Sequence, residues 1–148
     1  SGVSGAVTPP HVMLQLCQVT SALFISNARS ACSEDLLLQE AVTLCINVSK
    51  QQPFPRRGAG VATLRVPVYD DPAEDLYAHF DRCADAIQEL VYCKNGRSRS
   101  ATVCAAYLMK HRGLSLTSAL QRVKTARHEI DPNAGFLSQL QRYEQELK

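Results

Sequence analysis

The segment "LVYCKNGRSRSATVCAAYLMKHRG" (residues 90–113) joins an apolar run to a long helical pattern through a short cationic loop. The apolar residues 90–93 predict a buried strand. Residues 98–113 predict a helix, because they end in three basic residues followed by Gly113, a common helix stop. The segment therefore predicts a strand-loop-helix unit with Cys93 at the end of the strand.

Strand and helix patterns alternate on both sides of this unit. β-branched and apolar runs predict further strands, and Ser33 is a typical N-cap for a short helix that has acidic residues in its first turn. Continuous apolar strands that alternate with helices are typical of a mainly parallel sheet covered by helices. The predicted fold class is therefore α/β, with a central, mainly parallel twisted sheet flanked by helices. The predicted strands are 22–26, 42–49, 61–69 and 90–93, the predicted helices are 33–41, 72–89, 98–113, 115–127 and 134–148, and a surface loop is predicted at 50–60.

The predicted helix 72–89 raises a question about its connection to the next strand. Asp71 is a typical N-cap and Pro72 a typical first helical residue. A helix of this length would run straight into the strand, without the connection of about two to six residues that such elements commonly have. Either the helix ends early, or residues of the natural chain are missing before Leu90; we favour the second explanation. The amphipathic stripe of this helix consists of Leu76, Phe80, Cys83 and Ile87.

Length and composition indicate one globular domain. The chain has 148 residues, of which 45% are hydrophobic and 20% charged. We expect a flexible N-terminal segment at 1–10 and a single domain at 11–148. The formal net charge of +2 is too small to predict a nucleic-acid or membrane partner.

Cysteine and histidine spacing bear on compartment and metal binding. The six cysteines contain no C-x-x-C pair, and no signal peptide or membrane span precedes them, which favours a reducing, intracellular location in cytoplasm or nucleus. The four histidines lack metal-ligand spacing relative to these thiols, so no metal cofactor is expected.

The cationic loop is typical of an anion site. Backbone N–H groups can converge in such a loop, Gly96 permits left-handed geometry, and the following helix N-terminus adds partial positive charge. Arg99 can offer a planar pair of donors to two phosphate oxygens. The predicted phosphate-binding loop comprises Lys94, Asn95, Gly96, Arg97, Ser98 and Arg99.

Three further residues are predicted to carry the chemistry. The positive field of the loop favours the thiolate of Cys93, which makes this thiol a nucleophile. Ser100 can donate a hydrogen bond to the sulfur when it acts as a leaving group. Asp70 is the candidate general acid, because its neighbour Asp71 is expected to serve as the helix cap.

Three segments together resemble the dual-specificity branch of the cysteine-based protein tyrosine phosphatase superfamily. "CKNGRSRS" (93–100) resembles its C-x-x-G-x-x-R-S signature, "VPVYDDPAEDL" (66–76) resembles the segment that holds its acid, and "DPNAGFLSQLQRYEQEL" (131–147) resembles its C-terminal ending. The resemblance implies Cys93 as nucleophile and a two-step reaction through a cysteinyl-phosphate. It also implies no metal, phosphorylated proteins as substrates, and a bracing role for Asn133; we expect a monomer.

The chain departs from the family at Tyr92, where the family usually has histidine. That histidine helps to orient the loop and to activate the thiol. Its absence predicts a less activated Cys93 and weak turnover.

Simpler interpretations remain open for several of these residues. Cys93 can be a buried core thiol, Asp70 a turn residue or helix cap, and Ser100 a helix-start hydroxyl. Lys94 and Arg97 can be solvated charges, or they can extend the field toward a phosphoinositide or an RNA end.

Two rival functions also remain. A decayed, phosphate-binding pseudophosphatase would keep the loop without turnover. A rhodanese-like sulfurtransferase also sets a cysteine in a strand-loop-helix unit, but residues 131–147 disfavour it.

Overall fold

A computed structural model describes residues 14–56, 60–83 and 89–148. Strands and helices are interspersed along these residues, and three helices follow the last strand. The strands are β1 (Cys17–Thr20), β2 (Leu23–Asn27), β3 (Leu44–Asn47), β4 (Ala62–Arg65) and β5 (Glu89–Cys93). The α-helices are α1 (Ala28–Ala31), α2 (Glu34–Gln39), α3 (Phe80–Cys83), α4 (Arg99–Arg112), α5 (Leu116–Ala126) and α6 (Ala134–Leu147), and a 3₁₀ turn spans Tyr77–His79.

The five strands form one sheet in the order β1-β2-β5-β3-β4. β5 lies in the middle and pairs in parallel with both β2 and β3, and β4 extends the parallel sheet from β3. Only β1 is antiparallel, and it closes the edge beside β2. The prediction of a mainly parallel sheet flanked by helices is therefore confirmed.

The central strand β5 separates two apolar layers. Val91 and Cys93 pack into the larger layer, which contains residues of α4, α5 and α6. Leu90 and Tyr92 point to the other face and pack into the smaller layer with residues such as Leu37 of α2. This alternation follows from the two-residue period of a strand. It places Cys93 beside α4 and Tyr92 on the opposite side of the sheet.

Helix α4 is the centre of the larger layer. Ten of its residues, from Ser100 to Met109, are buried, and Gly113 ends it in the left-handed conformation with a φ of 64°. Truncating a buried leucine such as Leu108 typically costs about 2–5 kcal/mol, so this helix is fixed firmly. The loop between β5 and α4 is consequently held at both ends by buried elements.

The structure corrects the predicted start of helix 72–89. Residues 72–76 are not helical, and the α-helix begins only at Phe80. Asp71 does not cap it; its carboxylate accepts a 2.8 Å hydrogen bond from the Ala73 N–H in a local turn. The backbone N–H groups of Leu76 and Tyr77 instead donate to the side-chain carbonyl of Gln139 on α6, each at 2.8 Å.

The apolar stripe of that segment is confirmed in part. Leu76, Phe80 and Cys83 are buried, as their spacing predicts. Ile87, and with it the question of how the helix connects to the strand, lies outside the described residues.

Two short elements were not predicted from sequence. β1 precedes the first predicted strand, and α1 follows β2 directly, with Asn27 accepting a 2.8 Å hydrogen bond from the Ser30 N–H as its N-cap. The predicted cap at Ser33 is confirmed, because its hydroxyl accepts from the Leu36 N–H at 3.5 Å. In the part of the chain that the structure describes, no helix is long and apolar enough to cross a bilayer.

Candidate active site

The loop between β5 and α4 turns sharply at Gly96. This residue has a φ of 64°, in the left-handed region that favours glycine. A Cβ atom here would lie 2.7 Å from the carbonyl oxygen of Ser26 on β2. The predicted need for glycine at this position therefore has two physical causes, the backbone conformation and the close approach of β2.

A cavity of about 290 Å³ lies over this loop. Cys93, Arg99 and Asp70 all line it, although Asp70 lies on a different segment of the chain. The structure thus brings together the predicted nucleophile, phosphate binder and general acid. The remaining lining residues are Asn95, Arg97, Ser98, Asp131 and Asn133.

Of the other predicted loop residues, Lys94 is exposed and Gly96 is buried. Neither of these two residues lines the cavity. The carbonyl of Lys94 accepts a 3.3 Å hydrogen bond from the N–H of Ala28, so the first turn of α1 fixes the start of the loop.

Cys93 and Ser100 are in direct contact. The Sγ of Cys93 lies 3.2 Å from the Oγ of Ser100, and both residues are buried, Cys93 being 2% exposed. Cys93 is therefore buried as the simpler interpretation holds, yet it also lines the cavity beside a hydroxyl that can donate to it.

Arg99 is held by one contact and keeps a further donor. Its Nη1 donates to the carbonyl of Val68 at 3.2 Å. Its Nε is buried and has no hydrogen-bond partner among the described residues. Because a buried donor without a partner is costly, the arrangement suits an anion with several oxygen atoms. The Val68 contact also ties Arg99 to the segment that carries Asp70.

Asp70 is oriented by the N-terminus of α6. The side-chain amide of Asn133 donates to Oδ1 of Asp70 at 2.9 Å. The side-chain oxygen of Asn133 accepts from the Phe136 N–H at 2.9 Å, which makes Asn133 the N-cap of α6. Because this capping hydrogen bond fixes the orientation of the Asn133 amide, the NH₂ group of that amide is directed at the carboxylate of Asp70.

The segment 127–133 braces the predicted phosphate-binding loop at several points, whereas the family resemblance implied a bracing role only for Asn133. The N–H of Asp131 donates to the Arg97 carbonyl at 2.7 Å, and the N–H of Asn133 donates to the Ser98 hydroxyl at 3.0 Å. Arg127 also reaches the loop with its guanidinium. The sequence signal for Arg127 is only that of a cation in a polar connection.

Tyr92 lies away from this cavity. Its side chain is fully buried in the smaller apolar layer, and its hydroxyl donates to the Pro53 carbonyl at 2.8 Å. Burial, the largest cause, raises the pKa of the Tyr92 phenol far above its usual value. The residue therefore anchors the loop after β3 as a neutral phenol.

Three other thiols, those of Cys45, Cys83 and Cys104, are buried among apolar residues. Burial raises the pKa of Cys45 and of Cys83 to about 12, and it raises the pKa of Cys104 well above the ordinary value. These thiols stay protonated at neutral pH. Their contribution is packing.

Comparison with known proteins identifies the family. Residues 23–146 match the family described as "Dual specificity phosphatase, catalytic domain". The chain belongs to the dual specificity phosphatase family. The predicted fold class and the prediction of a protein phosphatase are confirmed.

Individual relatives agree with this assignment. The chain is 54% identical over 155 aligned residues to human dual specificity phosphatase 28, covering 99% of this chain and 85% of that protein. A crystal structure of a mouse putative dual specificity phosphatase complexed with zinc tungstate is 56% identical, with a TM-score of 0.86 over 99% of this chain and 93% of that chain.

A further similar structure belongs to human tyrosine phosphatase-like serine/threonine/tyrosine-interacting protein. It is 26% identical, with a TM-score of 0.81 over 88% of this chain and 96% of that chain.

Proposed function

We propose that this chain is a cysteine-dependent phosphatase that hydrolyses phosphotyrosine and phosphoserine or phosphothreonine in proteins. The observation that carries the proposal is the shared cavity of Cys93, Arg99 and Asp70. A nucleophile, a bidentate phosphate binder and a proton donor at one cavity form the minimum set for two-step hydrolysis of a phosphate ester.

In the first step, the thiolate of Cys93 attacks phosphorus and an S–P bond forms. The P–O bond to the substrate breaks, and Asp70 gives its proton to the departing oxygen. Arg99 binds two of the phosphoryl oxygens and keeps phosphorus in line with the sulfur. The product alcohol or phenol then leaves, and a cysteinyl-phosphate remains.

In the second step, water attacks the phosphorus of the cysteinyl-phosphate. Asp70, now ionised, takes a proton from this water, and the S–P bond breaks to release inorganic phosphate. The electron pair of that bond returns to the sulfur, where the hydroxyl of Ser100 can donate a hydrogen bond to the thiolate. Its 3.2 Å separation from Cys93 supports this role.

We further propose weak turnover, because Tyr92 directs its hydroxyl to Pro53 and gives the loop no histidine. The same observation favours a second candidate, a phosphate-binding pseudophosphatase. A relative of similar fold is described as phosphatase-like and interacting, which supports keeping this candidate.

We also propose the partners, the oligomeric state, the cellular compartment and the domain boundaries of this protein. The partners are phosphorylated proteins rather than nucleic acid or membrane, and the protein acts as a monomer without a metal cofactor in cytoplasm or nucleus. Residues 11–148 are proposed as the single catalytic domain. Light scattering that shows a dimer would contradict the monomer.

The test is release of phosphate from a small aryl phosphate by the wild type and by Cys93→Ser. Tungstate serves as the competing oxyanion, since the mouse relative is described as complexed with zinc tungstate. Turnover that disappears in Cys93→Ser and is inhibited by tungstate supports the phosphatase. Tight tungstate binding without any turnover supports the pseudophosphatase. Comparison of phosphotyrosine with phosphothreonine peptides then tests the dual specificity.

A further inference from the structure

Arg127 holds two successive carbonyl groups of the phosphate-binding loop. Its Nε donates to the carbonyl of Gly96 at 2.8 Å, and its Nη2 donates to the carbonyl of Asn95 at 3.0 Å. The side chain is only 11% exposed, and Nη2 also lies 3.0 Å from a carboxylate oxygen of Glu129. Arg127 is not among the residues that line the cavity, so it acts from behind the loop.

The direction of these carbonyls fixes the direction of the neighbouring N–H groups. In a trans peptide, the C=O of one residue and the N–H of the next point to opposite sides of the same plane, and the described chain has no cis peptide bond. A carbonyl of Asn95 turned toward Arg127 therefore turns the N–H of Gly96 away from it. The carbonyl of Gly96 does the same for the N–H of Arg97.

A planar guanidinium is suited to this task. Its Nε and Nη2 groups have a fixed spacing that matches two neighbouring acceptors, whereas the ammonium of lysine has no such geometry. The site also leaves Arg127 little freedom, because a Cβ atom added at Gly96 would lie 2.8 Å from its Nε. Arg127 and Gly96 thus fit each other closely.

We propose that Arg127 is a positioning residue that preorganises the phosphate-binding loop for the phosphoryl group. By binding the Asn95 and Gly96 carbonyls from behind, it directs the N–H groups of Gly96 and Arg97 toward the cavity, where they bind phosphoryl oxygens. This deepens the proposed function, because it rests on the loop binding phosphate. It does not require that the bound phosphate be hydrolysed.

The experiment is calorimetric titration of tungstate into wild type, Arg127→Met, Arg127→Lys and Arg122→Met. Loss of charge-assisted hydrogen bonds that hold the loop is expected to raise the tungstate Kd of Arg127→Met by about tenfold or more. Arg127→Lys, which can reach only one carbonyl well, is expected to fall between wild type and Arg127→Met. Arg122 is exposed on α5, so Arg122→Met removes the same charge and is expected to leave the Kd within about twofold of wild type.

The melting temperature of each variant separates positioning from stability. A merely structural Arg127 would lower the melting temperature and leave the tungstate Kd of the folded protein unchanged; that result overturns the inference. If Arg127→Met does not fold, the Kd of Arg127→Lys decides in the same way.

The readout also separates this inference from the proposed function. Wild type that binds tungstate but hydrolyses no aryl phosphate contradicts the phosphatase and leaves the role of Arg127 measurable by binding. Where turnover is present, the KM of Arg127→Met is expected to rise by about the same factor as its tungstate Kd. An unchanged KM together with an unchanged Kd would overturn the inference.

Discussion

The side-chain amide of Asn133 donates a 2.9 Å hydrogen bond to Oδ1 of Asp70, and the same side chain caps helix α6. The two residues are far apart in sequence, yet the bond links the candidate acid to a rigid helix. An acid that protonates a leaving group must be held within hydrogen-bond reach of it. The structure therefore indicates that Asn133 orients Asp70 in addition to capping α6.

Asn133→Ser is expected to lower kcat/KM, which reports the step in which the leaving group departs, more for an alkyl phosphate than for a nitrophenyl phosphate. Serine keeps the N-cap but lacks the amide donor, so stability changes little while Asp70 loses its orientation. The alkyl leaving group depends on protonation, whereas nitrophenolate leaves without it. We expect Asp70→Asn to cost about 10²-fold or more with the alkyl phosphate, and Asn133→Ser to cost less.

A double-mutant cycle checks whether Asn133 acts through Asp70. If it does, Asn133→Ser has little further effect once Asp70 is replaced by asparagine. Equal losses in both backgrounds would show that Asn133 acts independently of the carboxylate.

Gly135→Ala is expected to displace the segment that carries Asp70. A Cβ atom at Gly135 would clash with the Pro72 carbonyl oxygen, so either α6 or the turn after Asp71 has to move. We expect a loss of kcat of at least about tenfold, because small misplacement of an acid is costly.

Gly113→Ala is the matched control for this substitution. Gly113 adopts the left-handed conformation, with a φ of 64°, and a Cβ atom added there would have no atom of a distant residue within 4 Å. It is expected to cost about 1 kcal/mol of stability without changing kcat. Equal kcat values for Gly135→Ala and wild type would contradict the proposed clash.

Sequence patterns predicted the parts of this fold that depend on local signals. The run Leu90–Cys93 and the stop at Gly113 mark β5 and α4, and the cap at Ser33 marks α2. These elements could be predicted because they depend on burial of apolar side chains and on the backbone preferences of individual residues, both of which the sequence shows directly. The signature residues 93–100 likewise predict that Cys93 and Arg99 lie at one loop.

The remaining features depend on contacts between distant segments. The sequence predicts a helix from residue 72, but the helix begins later. The reason is that the side-chain carbonyl of Gln139 accepts hydrogen bonds from the N–H groups of Leu76 and Tyr77. Arg127 reads in sequence as a surface cation, since nothing local shows that the loop carbonyls lie beside it. Tertiary hydrogen bonds of this kind override local preference and leave no periodic signal.

Buried thiols are expected to make stability fall at high pH. Burial raises the pKa of Cys83 to about 12 in the folded chain, whereas the pKa of a thiol in the unfolded chain is about 8.5. Because the pKa of this thiol is raised in the folded state, its contribution to the free energy of unfolding is complete below about pH 8.5. That contribution is lost as the pH rises toward the pKa of the folded state. The measurement is urea unfolding at pH 7 and pH 10 for wild type and Cys83→Ala.

The comparison uses the difference between the two pH values, so that the packing loss of Cys83→Ala cancels. Wild type is expected to lose more stability than Cys83→Ala over this interval. An equal loss of unfolding free energy in the two proteins would show that the fold does not raise the pKa of the Cys83 thiol.

Tyr92→His tests why turnover is expected to be weak. Tyr92 is fully buried and its hydroxyl binds the Pro53 carbonyl, so its replacement should destabilise the chain by about 1–3 kcal/mol. Histidine at this position is nevertheless expected to support the loop and to speed alkylation of Cys93 by iodoacetamide below pH 7. Tyr92→Phe is the matched control: it keeps the ring, removes one hydrogen bond worth about 1 kcal/mol, and should leave alkylation unchanged. Alkylation rates of Cys93 that follow the same course against pH in wild type and Tyr92→His would refute the link between Tyr92 and weak turnover.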